Sequence, residues 1–205
     1  MNNNSFSEYA WSIFNRSIED YHITDNVDAV KPNHYENNSL EQILYDKNWI
    51  DTVQWHLEDI IRDENIDLVK ALEIKRRIDA SNQKRTDLVE FIDSWFLNKY
   101  KNTTPNADAK INTETPAWAV DRLSILALKV YHMDLEANRT SASDEHREKC
   151  QMKLNTLLEQ KKDLSSAIDQ LLNDIENGLV KIKTYKQMKM YNDETLNPIL
   201  YKKKE

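Results

Sequence analysis

The chain has 205 residues, 40% of them hydrophobic, with 35 acidic against 28 basic side chains and a formal net charge of −7. That length suits one domain with a real core, and the negative balance argues against broad nucleic-acid binding, which needs Lys and Arg in excess on one face. A single Cys rules out an internal disulfide and a Cys-based metal cage. One Gly and four Pro leave too few turn-formers for an all-β chain, so the composition predicts an all-α protein.

From Ser5 to Tyr21, Phe6, Tyr9, Ala10, Ile13, Phe14, Ile18 and Tyr21 recur at spacings of three and four, which predicts an amphipathic helix. The start MNNNSFSEY lacks the basic stretch and apolar core of a leader, and no apolar run approaches the roughly 20 residues of a membrane span. A cytoplasmic protein without membrane insertion is expected. Between His22 and Asn38 the period fails and Asp, Asn and Pro supply turn chemistry for a surface loop. Ser39 with Gln42 has the pattern of a capping box, opening a helix to about Arg62 that could bend near Asp46 to Asn48. DENID at Asp63 to Asp67 makes a turn, with Asp67 the N-cap of a long helix running to Tyr100.

Residues 101–113 are polar, aperiodic and contain Pro105, so they should cross over to the next helix, which starts at Thr115 with Pro116 in its first turn. That helix, AWAVDRLSILALKVYHMDLEANR, is the most apolar in the chain. After a short turn from Thr140, Ser143 starts a further helix to about Asn177. Leu157, Leu164, Ile168, Leu171 and Ile175 give it a seam, interrupted by Lys161, for one partner: the preceding helix as an antiparallel hairpin, or a second subunit in a homodimer. Cys150 on this helix is expected to be an inert packing residue. Gly178, the only glycine, stands where a left-handed helix end would place it. Residues 179–192 are either extended or a last helix, and a short disordered or extended tail follows from about residue 193. The predicted architecture is a single-domain bundle of about five main helices over residues 1–205, with long antiparallel helices in the C-terminal half.

On the long helix Lys75, Asp79, Asn82, Thr86 and Asp93 share a narrow sector, with Glu90 slightly off it, beside an apolar sector of Ile74, Ile78, Leu88, Ile92, Trp95 and Phe96. Arg85 falls among the apolar residues, so its guanidinium should be desolvated and must meet a carboxylate. Asp121 and Arg122, with Ser124, Lys129 and His132, are candidates for the opposite wall, and His56, Glu58, Asp59 and Arg62 lie on adjoining faces of the second helix.

Carboxylates converging from several helices can hold a divalent cation such as Mg²⁺ or Mn²⁺, with Lys and Arg nearby for phosphate oxygens. Glu90 and Asp93 have the E-x-x-D spacing of all-α magnesium-dependent nucleotide pyrophosphohydrolases. The second pair these enzymes need would here be His56 and Asp59, which departs from the pattern. The plainer reading is that these charges are salt bridges, that His56 and His132 are hydrogen-bonded structural histidines, and that Trp55 and Trp118 are core. No Ser-His-Asp order, glycine-rich phosphate loop or zinc pattern is present. Lys181, Lys183, Tyr185, Lys186, Lys189, Tyr191 and Asn192 interleave basic and aromatic residues, which can grip a phosphate or sugar or simply form a solvated basic tail.

The stretches WHLEDIIR, KRRIDASNQKRTDLVEFID, NTETPAWAVDRLSILALKVYHM and QMKMYND resemble, in order, the domain of unknown function 4254 family of bacterial proteins. The matching polar positions are His56, Glu58, Asp59, Arg62, Asp79, Asn82, Arg85, Asp87, Glu90, Asp93, Glu114, Thr115, Asp121, Arg122 and Ser124. The resemblance implies a helical protein whose genes lie near glycosyltransferases for lipopolysaccharide and other surface glycans, and it implies no catalytic assignment. Three readings stay open. One is a binding or accessory protein for surface-glycan assembly, holding a phosphorylated sugar, a nucleotide-sugar or a partner glycosyltransferase at His56, Glu58, Asp59, Arg62, Lys75, Asp79, Asn82, Arg85, Asp121 and Arg122. Another is a metal-dependent phosphohydrolase or transferase on a phosphorylated sugar or nucleotide, with the cation drawn from His56, Asp59, Asp79, Glu90 and Asp93, and phosphate held by Lys75, Arg85 or Arg122. The third is a purely structural dimeric scaffold.

Overall fold

In a computed structural model, which describes residues 5–186 and 195–196, every helix starts at a side-chain cap. Ser5, Ser39, Asp67, Thr115 and Ser143 each accept backbone N–H groups at the first turn of α1 (Phe6–His22), α2 (Leu40–Ile61), α3 (Leu68–Lys99), α4 (Pro116–Ala137) and α5 (Asp144–Glu176). Pro116 adds a φ already suited to the first turn of α4. The protein is an all-α bundle, with five helices among the described residues. No helix among the described residues is long and apolar enough to cross a membrane. α2 runs unbroken through Asp46 to Asn48.

Two antiparallel hairpins make up most of the bundle. In the first, Leu57 of α2 packs with Ile74 and Ile78 of α3, while Gln54 reaches Asn82 and Asp51 reaches Arg85 further along. In the second, Ala137 of α4 packs with Cys150 and Leu154 of α5 beside the turn at residues 138–143. At the far end Arg122 and Leu126 lie across from Gln160 and Leu164. The seam on α5 is therefore covered by α4 of the same chain. α1 lies over both hairpins and joins Phe14 and Ile18 to Leu44, Ile92, Phe96, Leu123, Ile168 and Leu172 in one core. Lys161, the charge within the α5 seam, sits 4.3 Å from the centre of the Trp11 ring, so its cation is held on an indole face while its stem packs.

The end of α5 is built on Gly178. Its N–H donates to the Ile175 carbonyl at 3.0 Å and that of Leu179 to the Asp174 carbonyl at 2.8 Å, the paired bonds of a Schellman motif. The motif needs the φ of +70° that Gly178 supplies. The chain then turns back extended, so that Val180–Lys181 (β2) pairs in parallel with Lys110–Ile111 (β1) inside the 101–113 crossover. Asn106 donates to the Gly178 carbonyl at 2.9 Å, and Lys110 to that of Leu179 at the same distance. Residues 182–186 are irregular, and the remainder of the basic-aromatic segment, with the tail beyond it, lies outside the described residues apart from 195–196. A Cβ at Gly178 would stand 2.9 Å from the Thr104 carbonyl oxygen. Gly178→Ala is expected to lower stability by about 1–3 kcal/mol, read by urea unfolding.

Candidate functional site

α2 turns polar residues inward where a core helix would carry leucines. Lys47, Asn48, Asp51 and Thr52 are all buried, and the Lys47 side chain has no exposed surface at all. An ammonium taken out of water must be neutralised on the spot. Lys47 pairs with Asp51 one turn on, and with Asp121 of α4 at 2.7 Å. Arg85 of α3 completes the set: its Nε donates to Asp51 Oδ1 at 2.6 Å and its Nη2 lies 3.6 Å from Asp121 Oδ1. Ser124 Oγ donates to Asp51 Oδ2 at 2.6 Å, and Asn48 Nδ2 donates to Ser124 Oγ at 3.1 Å. Two cations thus meet two carboxylates, and three helices are pinned by one neutral quartet.

The quartet borders a cavity of about 210 Å³ between α2, α3 and α4, lined by Asp51, Gln54, Trp55, Glu58, Arg62, Arg85, Ile125 and Leu128. Arg85, with 22% of its side chain exposed, is the member of the quartet with the most surface open to solvent. Gln54 and Arg85 both donate to Asn82 Oδ1, at 2.9 and 3.5 Å, which fixes Asn82 behind the wall. The volume is that of about seven waters, below the range of about 300–1,000 Å³ for sites that engulf drug-sized molecules, so one ring with a small substituent fits and a larger ligand would project out.

The remaining polar residues singled out from the sequence are spread over the surface. Asp59 and Arg62 form an exposed pair at 2.9 Å at the rim. Lys75 and Asp79 pair with each other, both more than half exposed, and neither lines the cavity. Asp79→Ala is therefore expected to change the unfolding free energy by less than about 0.5 kcal/mol. Arg122 forms an ion pair with Glu114 and borders a separate groove with Lys129. Asp87 accepts from Gln83 at 2.8 Å. Asp93 is buried at the start of α4, where Thr115 and the Ala117 N–H face it; burial raises its pKa, against the pull of those two donors. Among the described residues, Glu90, Asp93 and Asp59 join no cluster of three ligating atoms, so the E-x-x-D set for Mg²⁺ or Mn²⁺ is not brought together.

His56 does join such a cluster, with His22 from the end of α1 and His132 from α4. The Nε2 of each is buried without a hydrogen-bond partner, so His56 and His132 are not the hydrogen-bonded structural histidines expected from the sequence. Burial, reinforced by the other two imidazoles, pushes the His132 pKa from 6.5 down to about 4, against the weaker opposing pull of Asp59 and Asp25. His56 is lowered too, by burial first. A neutral imidazole in the fold that takes a proton on unfolding makes stability fall as the pH drops from about 6.5 to about 4. Urea midpoints of metal-free protein across that window are expected to fall, and to fall less in His132→Gln.

Lys47, Asp51, Gln54 and His22 carry the site without having been singled out in the sequence. The signal for the first two was a Lys and an Asp four apart, in register with Leu44 on a buried stripe. No curated protein and no solved structure matches the chain. The family model described as protein of unknown function (DUF4254) matches residues 41–184, which include the whole quartet, the cavity, His56 and His132 but not His22. Since that match spans more than half of the sequence, the chain belongs to the DUF4254 family.

Proposed function

We propose that this protein is a cytoplasmic binding or accessory component of surface-glycan assembly that holds a phosphorylated sugar in the cavity between α2, α3 and α4. One observation carries the reading: Arg85 is fixed from behind by Asp51 and Asp121, yet still borders a ring-sized cavity beside Trp55. A guanidinium held this way is already oriented for a phosphate or carboxylate oxygen, so little side-chain freedom is lost on binding. The Trp55 ring offers an apolar face for the C–H side of a sugar, and Gln54, Glu58 and Arg62 offer donors and acceptors for hydroxyls. The glycan context rests on the family resemblance.

The test is thermal unfolding with glucose 1-phosphate, glucose and inorganic phosphate, with and without Mg²⁺. Glucose 1-phosphate is expected to raise Tm without metal, by more than either half alone, since a ligand at 100 times its Kd adds about 2.7 kcal/mol. Trp55→Ala and Arg62→Ala are expected to abolish or weaken that shift. No shift, or one unchanged in both variants, would remove the sugar site. A shift that requires Mg²⁺ and is accompanied by phosphate release would replace the binder with a metal-dependent phosphohydrolase.

A further inference from the structure

His22, His56 and His132 come from three helices and meet ring to ring. Their ring centres lie 5.4, 5.3 and 5.5 Å apart, a near-equilateral triangle, with interplanar angles of 64°, 68° and 70° that set the rings like blades of a propeller. Three imidazoles bound to one ion at about 2.05 Å with tetrahedral angles would have centres about 5.2 Å apart. One ring nitrogen of each lies within 4.8 Å of the other two, against about 3.3 Å when ligated, so the rings need to turn in place while the helices stay where they are.

The tautomer of His22 also suits a ligand role. His22 Nδ1 lies 2.7 Å from the Ile18 carbonyl oxygen, which can only accept, so Nδ1 carries the proton and Nε2 presents a lone pair. A ligating histidine whose other nitrogen donates to a carbonyl is the usual outer arrangement of metal sites. The His56 ring is stacked on Tyr21 at 5.0 Å and the His132 ring on Trp55 at 4.9 Å, so each packs on an aromatic face outside the triad. A buried polar atom left without a partner costs about 1–3 kcal/mol, and each of the three rings has one in its Nε2. Asp25, three residues after His22 and in the left-handed conformation at φ 47°, brings its Oδ1 to 3.7 Å from His56 Nε2 with most of its carboxylate in solvent; it lies outside the cluster of three, so it reaches an ion there only by turning its side chain inward.

We propose that His22, His56 and His132 bind one transition-metal ion of the Zn²⁺ class, with Asp25 as an exchangeable fourth ligand. Imidazole nitrogens select Zn²⁺ and its late first-row neighbours over Mg²⁺, which prefers oxygen. The ion joins α1, α2 and α4, and a fourth position closed only by a solvent-facing carboxylate can be opened to a water or a substrate oxygen. The centre shares no ligand with the sugar cavity, though Trp55 both lines that cavity and stacks on His132, so the metal is tested with histidine variants rather than at Trp55.

The experiment uses the full chain, stripped with a chelator and titrated with Zn²⁺, Co²⁺ and Mg²⁺. One equivalent of Zn²⁺ is expected to bind and raise Tm, Co²⁺ to give the intense visible bands of a four-coordinate site, and Mg²⁺ to do neither. His22→Gln and His132→Gln are expected to weaken Zn²⁺ binding by more than the roughly 10–100-fold that loss of an outer partner costs. Asp25→Ala is expected to keep the ion and shift the cobalt spectrum. Should the histidine variants not fold, the stripped native protein decides: a stoichiometry near zero, or Mg²⁺ binding as tightly as Zn²⁺, overturns the proposal. Undiminished Zn²⁺ affinity in folded His22→Gln or His132→Gln overturns it as well.

Discussion

Replacing Asp51 with Ala is expected to lower the unfolding free energy by about 3–5 kcal/mol, measured by urea denaturation, a large share of the whole stability of an ordinary domain. The carboxylate is 2% exposed and accepts from Lys47, Arg85 and Ser124 at once. Its loss leaves an ammonium with no exposed surface and a guanidinium sharing Asp121 alone, two cations for one anion. Asp51→Asn should be nearly as damaging, because the amide keeps the shape and loses the charge. The double variant Lys47→Met with Asp51→Leu removes one charge of each sign and leaves the Arg85–Asp121 pair balanced. It is expected to cost less than the two single changes added together, the non-additivity that a direct interaction produces. A cost within about 1 kcal/mol for Asp51→Ala would mean that water reaches Lys47, and that the quartet is a surface feature.

Phe14→Ala is expected to cost about 3–5 kcal/mol, although Phe14 lies outside the family match at residues 41–184. Its ring is fully buried in the cluster that joins α1 to all four other helices, so truncation opens a cavity at the centre of the bundle. The corresponding measurement is Tm by circular dichroism, with Tyr9→Ala as the surface control, since Tyr9 is on the same helix and exposed. Equal stability of the native protein and Phe14→Ala would show α1 to be an appendage on an independent four-helix unit.

Four helices were legible because each carries its own start signal within four residues, Ser39 with Gln42, Asp67, Thr115 with Pro116, and Ser143, and α1 because its apolar residues recur at spacings of three and four. The stop at Gly178 was legible because a left-handed residue needs the one glycine in the chain. Arg85 could be placed in the interior by its position on the wheel. Lys75 and Asp79 share the stripe of Asn82 and Asp93 but end in solvent, because a wheel gives an angle and no height. At the height of Lys75 and Asp79, α3 packs on Leu57 of α2 through Ile74 and Ile78, and the start of α4 meets the stripe further along, at Asp93. Lys47 and Asp51 were passed over for a different reason. A Lys and an Asp in a helix are ordinarily at the surface, and only α3 and α4, bringing Arg85 and Asp121, make their burial tolerable. The three histidines are 34 and 76 residues apart in the chain, and no local pattern joins them.

The hydrogen bonds from Ser7 to Asp169 span 162 residues, and they tie the first turn of α1 to α5. On a ribosome adding about 5–20 residues per second, roughly 8–32 s pass between synthesis of one partner and of the other. Throughout that interval the apolar side of α1, with Phe14 and Ile18, can rest on Leu44 of α2 but lacks the part of its seat that Ile168 and Leu172 of α5 supply. During its birth this protein is therefore open to chaperones, and to neighbouring nascent chains, for longer than a fold assembled from sequential pairs would be.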